Sequence, residues 1–73
     1  MSDLTITHEQ VVNSAFIYAG NTVVFVSNQV SSLDVYDNVT IADRDKPLST
    51  YTVTQKNKVS LGHFEIYAQK LTS

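Results

Sequence analysis

Cysteine and tryptophan are absent from this 73-residue chain, proline and methionine occur once each, and glycine occurs twice. Without cysteine there is no disulfide and no thiolate to hold a metal. With Gly20 and Gly62 as the only glycines, a glycine-rich loop that cradles phosphate is excluded. Charge is scarce: 16% of residues are charged and the formal net charge is −2. Basic residues are missing from the whole first half. Residues 1–37 hold Asp3, Glu9, Asp34 and Asp37 but no Lys or Arg, and residues 10–33 carry no charge of either sign. Phosphate neutralisation supplies most of a nucleic-acid binder's affinity, so this balance weighs against that class. Long hydrophobic runs are lacking too. A membrane helix needs roughly 20 mostly apolar residues, and residues 11–26 are broken by Asn13, Ser14, Asn21 and Thr22. No basic region followed by an apolar run opens the chain. Neither a signal peptide nor a membrane span is therefore expected, and the expected location is cytoplasmic, or a virion if the protein is viral.

A chain of this length makes one domain, residues 1–73, near the lower size limit for a self-supporting core. With no disulfide or metal to add stability, association with itself or with a larger protein assembly is the remaining device. The uncharged segment is the natural place for such a contact.

What the sequence does contain is alternation. Residues 13–28 fold about Gly20-Asn21 into two strands whose partners match: Ala19 with Thr22, Tyr18 with Val23, Ile17 with Val24, Phe16 with Phe25. Ala15 then meets Val26, Ser14 meets Ser27, and Asn13 meets Asn28. Directly opposed like pairs are what stabilise an antiparallel ladder, and glycine first in a two-residue turn suits type II′. One face of that hairpin shows Phe16, Tyr18, Val23 and Phe25; the other shows Ala15, Ile17, Val24 and Val26. The first set is the expected contact surface.

A helix over residues 8–19 competes with this reading. Thr7 and Gln10 have capping-box spacing, Gly20 sits where a helix-ending glycine would, and Val11, Val12, Ala15, Phe16 and Ala19 share a helical face. Its residues are mediocre helix formers, and the hairpin is preferred.

The remaining segments read as strands. Residues 4–7 alternate, and residues 34–42 place Val35, Val39 and Ile41 on one face. Residues 48–55 alternate Tyr51 and Val53 with threonines suited to a solvated face. A loop over 42–47 ends at Pro47, and a turn over 55–58 is tipped by Asn57. Beyond it, Val59 and Leu61 have one parity and Phe64, Ile66 and Ala68 the other, which predicts a bulge or kink at Gly62-His63. Five or six short strands give an all-β fold, either a small antiparallel barrel of SH3-like or OB-like size or a compact sandwich. The alternative is α+β, with helix 8–19 packed on a four-stranded meander.

Chemistry is thin. His8-Glu9 and the His63/Glu65 pair each fall short of the three or four ligands a zinc site needs, so no metal and no other cofactor is expected. Asp43, Arg44, Asp45 and Lys46 alternate in sign and lack the glycine and terminal glutamate of a calcium loop. No nucleophile sits in a recognisable motif, and so short a chain struggles to enclose a substrate pocket, so neither catalysis nor a small-molecule substrate is expected. Arg44, Lys46, Lys56 and Lys58, on neighbouring hairpin tips, are the candidate nucleic-acid contacts. The composition, rich in Val, Ser, Thr and Asn and poor in charge, resembles that of small structural proteins of virus particles. The expectation is a non-enzymatic structural or interaction protein that acts by assembly, such as a capsid-decorating or tail-associated phage component. A soluble inhibitor or adaptor, such as a phage counter-defence factor, is the second reading, and a nucleic-acid-binding β-barrel the third.

Overall fold

The structure, a computed structural model, describes residues 3–44 and 46–71. Strands β1 (Asp3–Thr7), β2 (Ile17–Ala19), β3 (Thr22–Ser27), β4 (Asn38–Ala42), β5 (Ser49–Ser60) and β6 (His63–Lys70) form one sheet in the order β1-β4-β5-β6-β3-β2. The sheet curls into a half-barrel, so the chain is a small all-β domain. Every pairing is antiparallel except β1 with β4, which is parallel. A parallel pair needs a long crossover, and here the β2–β3 hairpin lies within it.

Curling follows from β5. Its 12 residues pair with β4 at one end and with β6 along most of its length, and its register shifts between Val53 and Gln55 and between Lys58 and Ser60. Each irregularity adds bend and right-handed twist. Alternation does the rest: Ile6, Val23, Phe25, Val39, Ile41, Tyr51, Val53, Ile66 and Ala68 line the buried concave side, while Thr5, Thr40, Thr50 and Thr52 take the opposite parity on the convex side.

The hairpin about Gly20-Asn21 forms in the expected register, Ile17 with Val24, Tyr18 with Val23 and Ala19 with Thr22. Gly20 has φ of 62° and Asn21 is not among the positive-φ residues, as a type II′ turn requires. Pairing ends earlier than expected. Residues 12–14 turn away in a short 3₁₀ helix, so Ala15, Ser14 and Asn13 do not meet Val26, Ser27 and Asn28; Ser27 instead bridges to Val11. Phe16 still reaches Phe25, ring edge to ring face at 5.5 Å.

The alternative helix 8–19 is replaced by two single 3₁₀ turns, His8–Gln10 and Val12–Ser14, with Val11 extended between them. The Thr7/Gln10 spacing does serve as a cap, the Thr7 N–H donating to Gln10 Oε1 at 2.8 Å, but over one turn only. Ser27, almost fully buried, ties this crossover down: its hydroxyl donates to the Gln10 carbonyl and accepts from the Gln29 N–H.

Three further expectations need correction. Residues 55–58 are no turn; they continue β5, and the chain reverses at Leu61-Gly62. Gly62, with φ of 78°, therefore serves the hairpin turn rather than a bulge, and the parity change has no consequence because Val59 and Leu61 are both exposed. Val35 stands outside β4 and is exposed, while Val39 and Ile41 are buried as expected. In their place the connector from β3 to β4 buries Val30 and Leu33 completely.

Candidate functional site

The β2–β3 hairpin presents its two apolar faces very differently. Val23 is fully buried and Phe25 2% exposed, with Phe16 and Tyr18 packed half-buried against the same core. The four residues expected to form a contact surface thus line the inside of the half-barrel. The outer side carries Ile17, 64% exposed, beside Val24 and Val26. With Val12, Asn13, Ala15 and Glu65 these residues border a groove of about 170 Å³. Glu65 is the single charge on its rim.

β2 is also an edge of the sheet. In a two-residue hairpin the residues flanking the turn exchange both backbone hydrogen bonds. Ala19 and Ile17 therefore bond to β3, and the N–H and C=O of Tyr18 point away along the free edge. Edge strands are ordinarily protected by charge, proline or bulges; β2 has only its shortness.

At the end of the half-barrel near Gly20, an open cleft of about 330 Å³ lies among Tyr18, Ile41, Asp43, Lys46, Ser49, Tyr51 and neighbours. The chain therefore does shape a concave space of substrate size, though an open one. The Tyr18 hydroxyl donates to Asp43 Oδ2 at 2.8 Å, and the Lys46 ammonium lies 3.7 Å from the centre of the Tyr18 ring. Burial first, and then this hydrogen bond, push the Tyr18 phenol well above the ordinary tyrosine range. The same bond, helped by the Arg44 N–H and the charges of Lys46 and His8, holds the Asp43 carboxyl below its usual value. Both groups move away from neutrality, opposite to what general acid–base work requires. The pair acts as a clasp from edge strand β2 to the loop beyond β4.

The four basic residues anticipated as nucleic-acid contacts fall into two separate groups, and the fifth, Lys70, borders the cleft with Lys46. Arg44 and Lys46 belong to the β4–β5 loop. Lys56 and Lys58 stand in β5, seven and nine residues beyond Ser49, roughly 23–30 Å along the strand. Lys56 is engaged locally, donating to the Ser31 carbonyl at 3.0 Å and lying 4.6 Å from the centre of the Phe64 ring. The neighbouring tips anticipated from sequence are thus opposite ends of one strand. His8 opens the first 3₁₀ turn, His63 opens β6 with Nδ1 3.2 Å from the Leu61 carbonyl, and among the described residues no three His, Asp or Glu side chains come together.

A further surface carries no sequence signal. Asp34 to Asp37 make a turn in which the Asp37 N–H donates to the Asp34 carbonyl at 3.0 Å. Tyr36, its third residue, has φ of 77° and is 83% exposed. Tyr36 borders a groove of about 370 Å³ on the convex side, with Thr52, Thr54, Gln69, Lys70 and Leu71.

No protein family, curated protein or solved structure matches the chain.

Proposed function

We propose that this chain is a non-enzymatic interaction protein that works by assembly, and that its contact is the outer side and free edge of the β2–β3 hairpin, docked on a second copy of the chain. One observation carries the reading: Ile17 stands 64% exposed on an uncharged edge strand whose other side is core. Self-pairing suits that strand. Two copies of β2, antiparallel about a two-fold axis, satisfy each other's outward Tyr18 backbone groups, and the same residues meet on both sides. Residues 10–33 bring no like charges together. A standard interface covers roughly 800 Å² per partner, about a sixth of this chain's 4621 Å² surface, and so small a core gains from hiding that area. The composition supports placement in a larger particle such as a phage virion.

The competing classes are weaker. A nucleic-acid barrel needs a continuous basic track, and Arg44 and Lys46 lie a strand's length from Lys56 and Lys58. A soluble inhibitor or adaptor would use the same hairpin on a different partner and would itself be monomeric. Sedimentation velocity separates these. The wild-type chain should run as a dimer at about 100 μM and stay dimeric at about 0.5 M salt, since no exposed ion pair joins the copies. Ile17→Asp should be a folded monomer, because position 17 does not touch the core. A wild-type monomer under these conditions overturns the reading.

A further inference from the structure

We propose that the cleft at the Gly20 end of the half-barrel binds a small organic acid, a flat apolar body bearing one carboxylate, which the Tyr51 hydroxyl and the Lys70 ammonium receive. The starting point is a hydroxyl that the fold leaves unused. Tyr51 is 7% exposed and lines the cleft, yet its hydroxyl makes no hydrogen bond among the described residues. Sealing such a group from water without a partner is costly, and no side-chain oxygen or nitrogen among the described residues is left in that state. The small part of Tyr51 that solvent reaches therefore includes its oxygen, which opens into the cleft.

Register brings a cation to it. Lys70 pairs with Tyr51 and shares the parity of buried Ile66 and Ala68, so its side chain stands on the concave side. The backbone there is fixed from both neighbours: the Lys70 N–H donates to the Asn21 carbonyl at 2.6 Å, and the Leu71 N–H to the Thr50 carbonyl at 3.0 Å. Ser49, half-buried opposite Ile41 on the same face of β5 as Tyr51, adds a second hydroxyl without a partner among the described residues.

The other charged groups at the cleft are already matched. The Asp43 carboxylate accepts from the Tyr18 hydroxyl and the Arg44 N–H, and Lys46 lies over the Tyr18 ring, near enough to help hold that carboxyl ionised. Lys46 thus answers Asp43, and Lys70 has no counter-charge among the described residues. One unanswered positive charge calls for one negative charge. A carboxylate supplies it, whereas a phosphate monoester carries nearly two charges at neutral pH and would set its surplus against Asp43. Each phosphate of a nucleic-acid strand would need a further cation. The remaining lining, Ile41, Pro47 and the two tyrosine rings, is an apolar wall for the body of the acid.

The test is an amide-resolved NMR titration with trans-cinnamate, with cinnamamide (the same body without charge) and phenyl phosphate as comparators. Cinnamate should shift the amides around Tyr18, Ser49, Tyr51 and Lys70 with a Kd on the order of 1 mM, and bind at least fivefold more tightly than either comparator. Lys70→Arg should keep the binding and Lys70→Gln should weaken it at least fivefold. Tyr51→Phe should weaken it at least threefold while leaving the urea midpoint unchanged or raised, because the hydroxyl holds nothing within the chain. Absence of shifts at about 10 mM, a comparator that binds as tightly as cinnamate, undiminished binding by Lys70→Gln, or a lower midpoint for Tyr51→Phe overturns the proposal. The outer side of the hairpin plays no part in this cleft, so the result stands whether or not the chain dimerises.

Discussion

Tyr18 shows how much one side chain does in a chain this small. Its ring packs against the core, its hydroxyl holds Asp43, and its outer ring face carries the Lys46 ammonium. Asp43 remains half-exposed, so solvent screens the contact, and Asp43→Asn should cost about 1 kcal/mol at pH 7. The pH dependence has a definite sign. The carboxyl's folded-state pKa is depressed, so its contribution is present above the unfolded value of about 4 and is lost as the pH falls through the lower folded value. Tyr18 acts at the other extreme. Its folded pKa is raised, so its contribution is complete below about pH 10 and fades as the pH rises beyond that. Urea unfolding of wild type and Asp43→Asn should show a gap at pH 7 that closes as the pH is lowered from 4 towards 2. A gap of constant size would mean that the carboxylate's charge is not what closes the clasp.

At the scale of elements, the hairpin is where local chemistry and tertiary structure agree most closely. Gly20 has open space where a Cβ would lie, so Gly20→Ala tests backbone conformation alone. The φ of 62° should make that change cost about 1 kcal/mol, read as a lower urea midpoint with an unchanged slope; an unshifted midpoint would mean the turn relaxes into another type. The register of this hairpin was legible because matched residues on either side of a two-residue turn leave little freedom, and the three pairs nearest the turn form as matched. Which side of it faces the core was not. Period-two alternation distinguishes inside from outside only when one face is polar, and here Phe16, Tyr18, Val23 and Phe25 oppose an equally apolar Ile17, Val24 and Val26. The contact surface expected from sequence is therefore core, and the exposed side is the other one. Residues 55–58 misled for the converse reason. β5 runs on past the core, where polar residues on both faces look like a turn. Nothing in the sequence marks Tyr36 either, since a tyrosine at a glycine-type dihedral leaves no pattern.

On the scale of the whole molecule, a half-barrel has two ends and an open side, and this chain treats the ends differently. The end near Gly20 stays open as the cleft beneath Lys46. Beyond Ser27, at the far end, the β3–β4 connector folds back and buries Val30 and Leu33 completely, with Lys56 fastened to the Ser31 carbonyl beside them. A connector without regular structure thus completes the core that the strands leave unfinished. For a domain of this size total stability is about 4–11 kcal/mol, so one plug residue carries a large share of it. Leu33→Ala should cost about 3 kcal/mol through lost burial and the cavity left behind. Leu61→Ala, the same change at a position 89% exposed, should stay within about 0.5 kcal/mol. Equilibrium urea unfolding of the two variants at one protein concentration reads the difference directly, and holding concentration fixed keeps any self-association from entering it. If both variants unfold with the wild type, the connector is a surface loop and the six strands must close their far end without it.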